Sequence, residues 1–237
     1  MLLAILPASA IASDFACTKP LPEIQQKTVL ESVERRYGEI FDLSAEFSQN
    51  SYYLGTNQRK SSSGTLSFKK PGKMDWRYLK PKAQRFVGDG KLLWFYEPEL
   101  EKVTVGDFEK SFKSDLPVSF LLGIGKLSER FVVAKACFTS KGIALKLEPK
   151  KSDASLQEFF LLVDKNSFNP LGAQMVDVGG NETTITFDKV EVNTQIADSV
   201  FEIEIPKGVD FIDRRSAETK SKAASKEAKS SVRSVPS

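Results

Sequence analysis

The chain has 237 residues, of which 41% are hydrophobic and 27% charged, an ordinary composition for one large soluble domain or two small ones. It contains no His, which removes Ser-His and Cys-His nucleophile pairs, His-containing zinc sites and the commonest general base. A formal charge of +3 does not mark a nucleic-acid binder, and no apolar run reaches the ~18 residues of a membrane-spanning helix.

Residues 1–13 read as a signal peptide whose basic leading region is missing from the given start. The apolar run from Leu2 to Leu6 is followed by small residues, and Ala8-Ser9-Ala10 and Ala10-Ile11-Ala12 both fit a cleavage site. Two cysteines follow, Cys17 and Cys137. In an exported protein such a pair suggests one disulfide. Ala16 before Cys17 also permits a lipidated N-terminus, although Asp14 and Phe15 suit that processing poorly. Two buried free thiols are the third option.

Residues 21–37 have helical spacing, with Ile24, Leu30, Val33 and Tyr37 on one side, Pro22 in the first turn and Gly38 as the stop. The period then changes to two. Strands are expected over residues 43–54, 63–68, 74–78, 85–88, 91–97 and 102–105, punctuated by Gly55-Thr56-Asn57, Pro71-Gly72, Pro81, Gly88-Asp89-Gly90 and Pro98. Met74, Trp76 and Tyr78 share one face of their strand, Asp75 and Arg77 the other. A compact apolar helix, residues 118–122, starts after Asp115-Leu116-Pro117 and is too short to be stable unless docked. Strands resume over residues 131–138, 143–147, 158–163, 171–178, 183–192 and 201–205. About eleven strands form a meander long enough to curl into a partial or complete barrel. Residues 214–237 hold seven basic and two acidic residues, a net +5, with almost no large apolar side chain, and read as a disordered basic tail. One domain, residues 14–213, remains.

The order of motifs in the middle of the chain is specific. Phe47-Ser48-Gln49 precedes Gly64-Thr65-Leu66-Ser67-Phe68-Lys69-Lys70-Pro71-Gly72-Lys73-Met74-Asp75-Trp76, followed by Pro81 and by Val87-Gly88-Asp89-Gly90-Lys91-Leu92-Leu93-Trp94-Phe95-Tyr96-Glu97-Pro98. This set resembles the periplasmic outer-membrane lipoprotein carrier family (LolA-like), closely over residues 43–98 and more loosely on to Phe187.

The resemblance implies a mainly β fold with short helices: an unclosed antiparallel β-barrel with a helical lid over a hydrophobic cavity. It implies a periplasmic chaperone, not an enzyme, that needs no cofactor or metal and is expected to be a monomer. Such a protein carries lipoproteins by their acyl chains from an inner-membrane lipoprotein-releasing transporter to an outer-membrane acceptor. The expected cavity wall is Leu43, Phe47, Leu66, Phe68, Met74, Trp76, Tyr78, Phe86, Leu93 and Phe95. The expected lid residues are Phe120, Leu121 and Leu122. Lys70 stands where the family carries an arginine latch that binds lid backbone, with Lys69 as a possible partner; lysine lacks the planar guanidinium fork. Met74 replaces an aromatic and adapts to irregular chains.

The wall residues make physical sense of a carrier, because each buried CH2 is worth ~0.8 kcal/mol and a moving acyl chain needs an apolar surface of matching area. The same aromatics also suit a filled barrel core, and the resemblance favours the cavity. An outer-membrane acceptor of the same fold would require lipidated Cys17. A lipoprotein sensor or adaptor would require a further domain. An enzyme would require a nucleophile and base, and the chain contains no Gly-x-Ser-x-Gly elbow.

Overall fold

Period-two alternation of apolar and polar residues dominates the chain, and a single sheet results. The computed structural model describes residues 14–108, 110, 126–151, 156–216 and 219. A two-residue strand β1 (Lys19–Pro20) leads into α1 (Glu23–Glu39). The meander β2 (Asp42–Tyr53), β3 (Gln58–Lys69), β4 (Lys73–Lys80), β5 (Gln84–Asp89), β6 (Leu92–Glu97) and β7 (Lys102–Asp107) follows. A helical turn α2 (Leu127–Arg130) precedes β8 (Phe131–Phe138), β9 (Ile143–Pro149), β10 (Leu156–Val163), β11 (Pro170–Asp177) and β12 (Glu182–Val192), and β13 (Asp210–Asp213) closes the series.

The strands form one sheet in the order β1-β8-β9-β10-β11-β12-β2-β3-β4-β5-β6-β7-β13. Every neighbouring pair is antiparallel except β13 beside β7, which is parallel. β1 and β13 are the two edges and do not pair with each other, so the sheet is unclosed, as expected. Twist accumulated over so many strands turns one face inward.

The twelve expected ranges, reckoned as about eleven strands, become thirteen strands among the described residues: one is lost, and β1 and β13, which are short and take their form from their neighbours, are added. The expected strand over residues 201–205 is absent. A 3-10 turn (Asp198–Phe201) ends at its first residue, Phe201, which is buried, residues 202–205 form no regular element, and the Arg85 guanidinium donates to the Val200 and Glu202 carbonyls at 3.2 Å each. A side chain thus satisfies carbonyls that a strand would have paired.

The core has two sides. On the inner face, Val29, Leu30, Val33 and Tyr37 of α1 pack with Leu43, Phe47, Leu66, Phe68, Trp76, Leu145, Phe159, Leu161 and Phe187. Ile24, expected on that helix face, is 84% exposed. On the outer face, Phe15 covers Ala144 and Leu162, while Val87, Val103 and Val105 are buried beside the crossing C-terminal segment.

Cys17 and Cys137 are disulfide-bonded, joining the N-terminal segment to β8 where Lys19 and Pro20 pair with Phe138 and Cys137. Arg214, Arg215 and Ser216, the first residues of the expected basic tail, are held against the sheet. The Arg214 amide donates to the Val105 carbonyl at 2.8 Å, Arg215 pairs with Asp213, and the Ser216 amide donates to Asp107. The expected signal peptide, the short helix at residues 118–122 and most of the basic tail lie outside the described residues.

Candidate functional site

Strand register brings the expected wall residues onto one face. Leu43 lies opposite Phe68, Phe68 opposite Met74, Met74 opposite Gly88 and Gly88 opposite Leu93. One step along, Ala45, Leu66, Trp76, Phe86 and Phe95 form a second row, and Phe47, Gly64 and Tyr78 a third. Directly opposed residues share a face, so all ten expected wall residues face inward.

Their depths differ. Leu43, Phe47, Leu66, Phe68, Met74 and Trp76 are buried, each at 5% exposure or less. Tyr78, Phe86, Leu93 and Phe95 are half-buried. α1 accounts for part of this gradient, because its Val33 and Tyr37 belong to the cluster that covers the deep group.

A relay of ring contacts links the two groups. Phe47 meets Trp76 and Tyr78 edge-on at 5.1 Å, Tyr78 meets Phe86 at 6.2 Å, and Phe86 stacks on Phe95 at 4.3 Å. Such offset and edge-on rings gain about 0.5–1.5 kcal/mol per pair beyond their burial. Polar atoms are few. The Tyr78 hydroxyl donates to Gln49 Oε1 at 2.8 Å, and the buried Trp76 Nε1–H has no hydrogen-bond partner among the described residues. An unsatisfied buried donor costs about 1–3 kcal/mol.

Two glycines permit close packing. A Cβ on Gly64 would lie 1.7 Å from the Arg77 carbonyl oxygen, at the bulge where β3 meets β4. A Cβ on Gly88 would lie 2.4 Å from the Phe108 ring, so the missing side chain makes room for Phe108 over the inner face.

Lys70 and Lys69 diverge. The Lys70 ammonium donates to the Tyr37 carbonyl and sits 4.6 Å over the Tyr37 ring, while its amide donates to the Phe41 carbonyl at 2.8 Å. It therefore caps the C-terminal end of α1, where the helix dipole favours a cation. Partial burial lowers its pKa. The expected lid residues Phe120, Leu121 and Leu122 lie outside the described residues, so the described partner of Lys70 is α1.

Lys69, considered as a second latch, reaches the opposite way. Its ammonium donates to the Ile196 carbonyl at 2.7 Å and pairs with Asp198 at 2.6 Å, and Lys73 joins Asp198 at 2.8 Å. These two lysines hold the Asp198 carboxyl down at a pKa of about 2. Buried Asp75 binds Arg77 and Arg85, and Asp42 accepts the Thr194 and Ile196 amides. Residues 194–202 are thereby fastened to the outer face, on the opposite side of the sheet from α1.

Sequence reasoning missed the other half of the inner face. Phe159 and Leu161 of β10, Leu145 and Leu147 of β9, and Phe187 of β12 complete it. The run Phe159-Phe160-Leu161-Leu162-Val163 shows these residues are apolar but not which of them point inward. Among the described residues no group of three or more Cys, Asp or Glu could hold a metal.

The model of the outer membrane lipoprotein carrier protein LolA family matches residues 39–204. The chain belongs to this family. It is 31% identical over 193 residues to an outer-membrane lipoprotein carrier protein of Ralstonia nicotianae, covering 79% of this chain and 88% of that one. It is 33% identical over 172 residues to the protein of the same name from Pseudomonas syringae pv. tomato, covering 72% and 81%. Among solved structures, an uncharacterized conserved protein from Thermus thermophilus matches with a TM-score of 0.53 at 13% identity, over 79% of this chain and 98% of that one, a likeness of fold. The family is one of carriers and not of enzymes, which agrees with a chain that lacks His and a nucleophile elbow.

Proposed function

We propose that this protein is a periplasmic chaperone that shields the acyl chains of lipoproteins on the inner face of its sheet. It would take them from an inner-membrane transporter and pass them to an outer-membrane acceptor. The observation that carries this reading is the half-buried group Tyr78, Phe86, Leu93 and Phe95 on β4, β5 and β6, which continues a sealed core on the same face. A core serving stability alone has no use for an aromatic wall left part-open to water. An acyl chain laid along that wall recovers ~0.8 kcal/mol per CH2 removed from water. That is large enough to hold a chain and divisible enough to release it.

Lys70 acts in this reading as a latch between the β3–β4 turn and the end of α1. One ammonium on a flexible stem makes a looser clasp than a guanidinium fork. The acceptor alternative is disfavoured by chemistry at Cys17. A lipidated Cys17 would hold its sulfur in a thioether and would begin the mature chain. The disulfide to Cys137 uses that same sulfur, and Phe15, upstream of it, is buried on Ala144 and Leu162.

The test is to purify the protein from the periplasm and extract it for bound lipid or lipoprotein. The reading expects acylated cargo, and by mass spectrometry a mature N-terminus upstream of Cys17 with no lipid on that residue. An acylated Cys17 would transfer the protein to the acceptor role, and protein that never carries acyl chains would remove the carrier role.

A further inference from the structure

The tip of the β2–β3 hairpin extends beyond the packed part of the inner face. From Phe47 to Phe68 the chain contains no acidic residue, and its two charges are Arg59 and Lys60. The hairpin outruns its neighbour: β4 pairs with β3 only from Ser63 inward, so residues 58–62 project beyond β4 with an edge that no strand among the described residues covers. At its tip Tyr53 is 39% and Leu54 54% exposed.

Each tyrosine there sits under a cation. The Arg59 guanidinium lies 4.6 Å from the Tyr52 ring centroid and the Lys60 ammonium 5.4 Å from that of Tyr53. Successive residues point to opposite faces, so each side of the tip presents one ring and one cation. Val178, in the adjoining β11–β12 turn, is also exposed, and the Leu54 amide donates to Asn181 Oδ1 of that turn at 3.1 Å. The acidic groups nearby are engaged: Asp177 accepts from the Gly179 and Asn181 amides, and Glu182 accepts from Gln174.

We propose that this tip adsorbs to an anionic bilayer surface. Leu54 and Val178 would enter the boundary between headgroups and acyl chains, Tyr52 and Tyr53 would sit at headgroup depth, and Arg59 and Lys60 would meet lipid phosphates. Exposed apolar tips beside amphipathic rings and cations form the residue set that partitions to that depth. A second copy is a poor occupant of the open edge, because pairing two such edges would crowd the Arg59 and Lys60 cations of both copies together. Two cations and a few apolar groups give reversible adsorption and not anchorage. A carrier visiting two membranes has use for that, but the inference rests on the hairpin alone.

The test is co-sedimentation of the full chain with vesicles of equal parts phosphatidylcholine and phosphatidylglycerol, and with vesicles of phosphatidylcholine alone. Wild type is expected to bind the anionic vesicles more tightly. Arg59→Gln with Lys60→Gln should weaken that binding about thirtyfold, and Leu54→Asp by about tenfold or more. Both variants change exposed residues and should keep the wild-type melting temperature. The basic tail is identical in all three proteins, so the comparison isolates the hairpin. Variants that bind as wild type does, or a wild type that ignores anionic vesicles or prefers neutral ones, would overturn the proposal.

Discussion

The inner face divides into a deep half and a shallow half that share rows, register and chemistry. Leu66 of the deep half is 1% exposed, whereas Phe86 and Phe95, two and three strands along in the same row, are half-buried. The deep half is sealed by its own side chains and by α1. On the proposed carrier reading the difference separates stability from binding: the first half holds the fold together, and the second is where a guest would displace water.

Truncation should break the symmetry between the halves most strongly. Trp76→Ala should cost about 3–5 kcal/mol in denaturant unfolding, as expected for a large aromatic removed from a packed core. Phe86→Ala should cost roughly half as much, because less of its area leaves water on folding. Equal costs would show that the shallow half is as much core as the deep half. A charge at Trp76 therefore reports on folding first, and Phe86 and Phe95 are the cleaner probes of binding.

Cys17→Ser comes next. It should lower stability by about 2–4 kcal/mol while leaving acyl-chain affinity unchanged, because the disulfide fastens β8 and stands outside the inner-face cluster. An affinity loss matching the stability loss would tie the shallow half to the edge of the sheet.

Lys70→Leu removes the cation from the end of α1 and should cost about 1 kcal/mol, with faster cargo release measured by transfer to acceptor vesicles. Lys70→Arg should restore or slow release. Altered stability with unaltered release would make Lys70 a helix cap only.

The smallest effect concerns the outer-face clamp. Asp198 titrates near 2, below the ordinary 3.8, because Lys69 and Lys73 favour its charged form. Its stabilisation is therefore complete above about pH 4 and is lost as pH falls through about 2. Asp198→Asn should remove that acid-dependent part of the melting temperature and leave binding untouched.

Alternation made the inner face legible in the sequence, because Leu66, Phe68, Met74, Trp76 and Tyr78 repeat at period two between clear turns. Depth was not legible, since alternation assigns a side chain to a face and says nothing of what covers it. Tyr37 and Lys70 meet across 33 positions, and neither residue alone announces the contact. Phe201-Glu202-Ile203-Glu204-Ile205 alternates as strictly as any strand here, yet Arg85 takes carbonyls that a neighbouring strand would need. Asp210–Asp213 is too short to signal a strand and becomes one beside β7.

The most direct measurement is the affinity of the purified protein for a fluorescent fatty-acid analogue, compared with that of Phe86→Glu and Phe95→Glu at matched melting temperature. The account predicts that wild type binds without metal or nucleotide and that each variant loses tenfold or more in affinity, about 1.4 kcal/mol. Variants that remain folded and bind as tightly as wild type would contradict it.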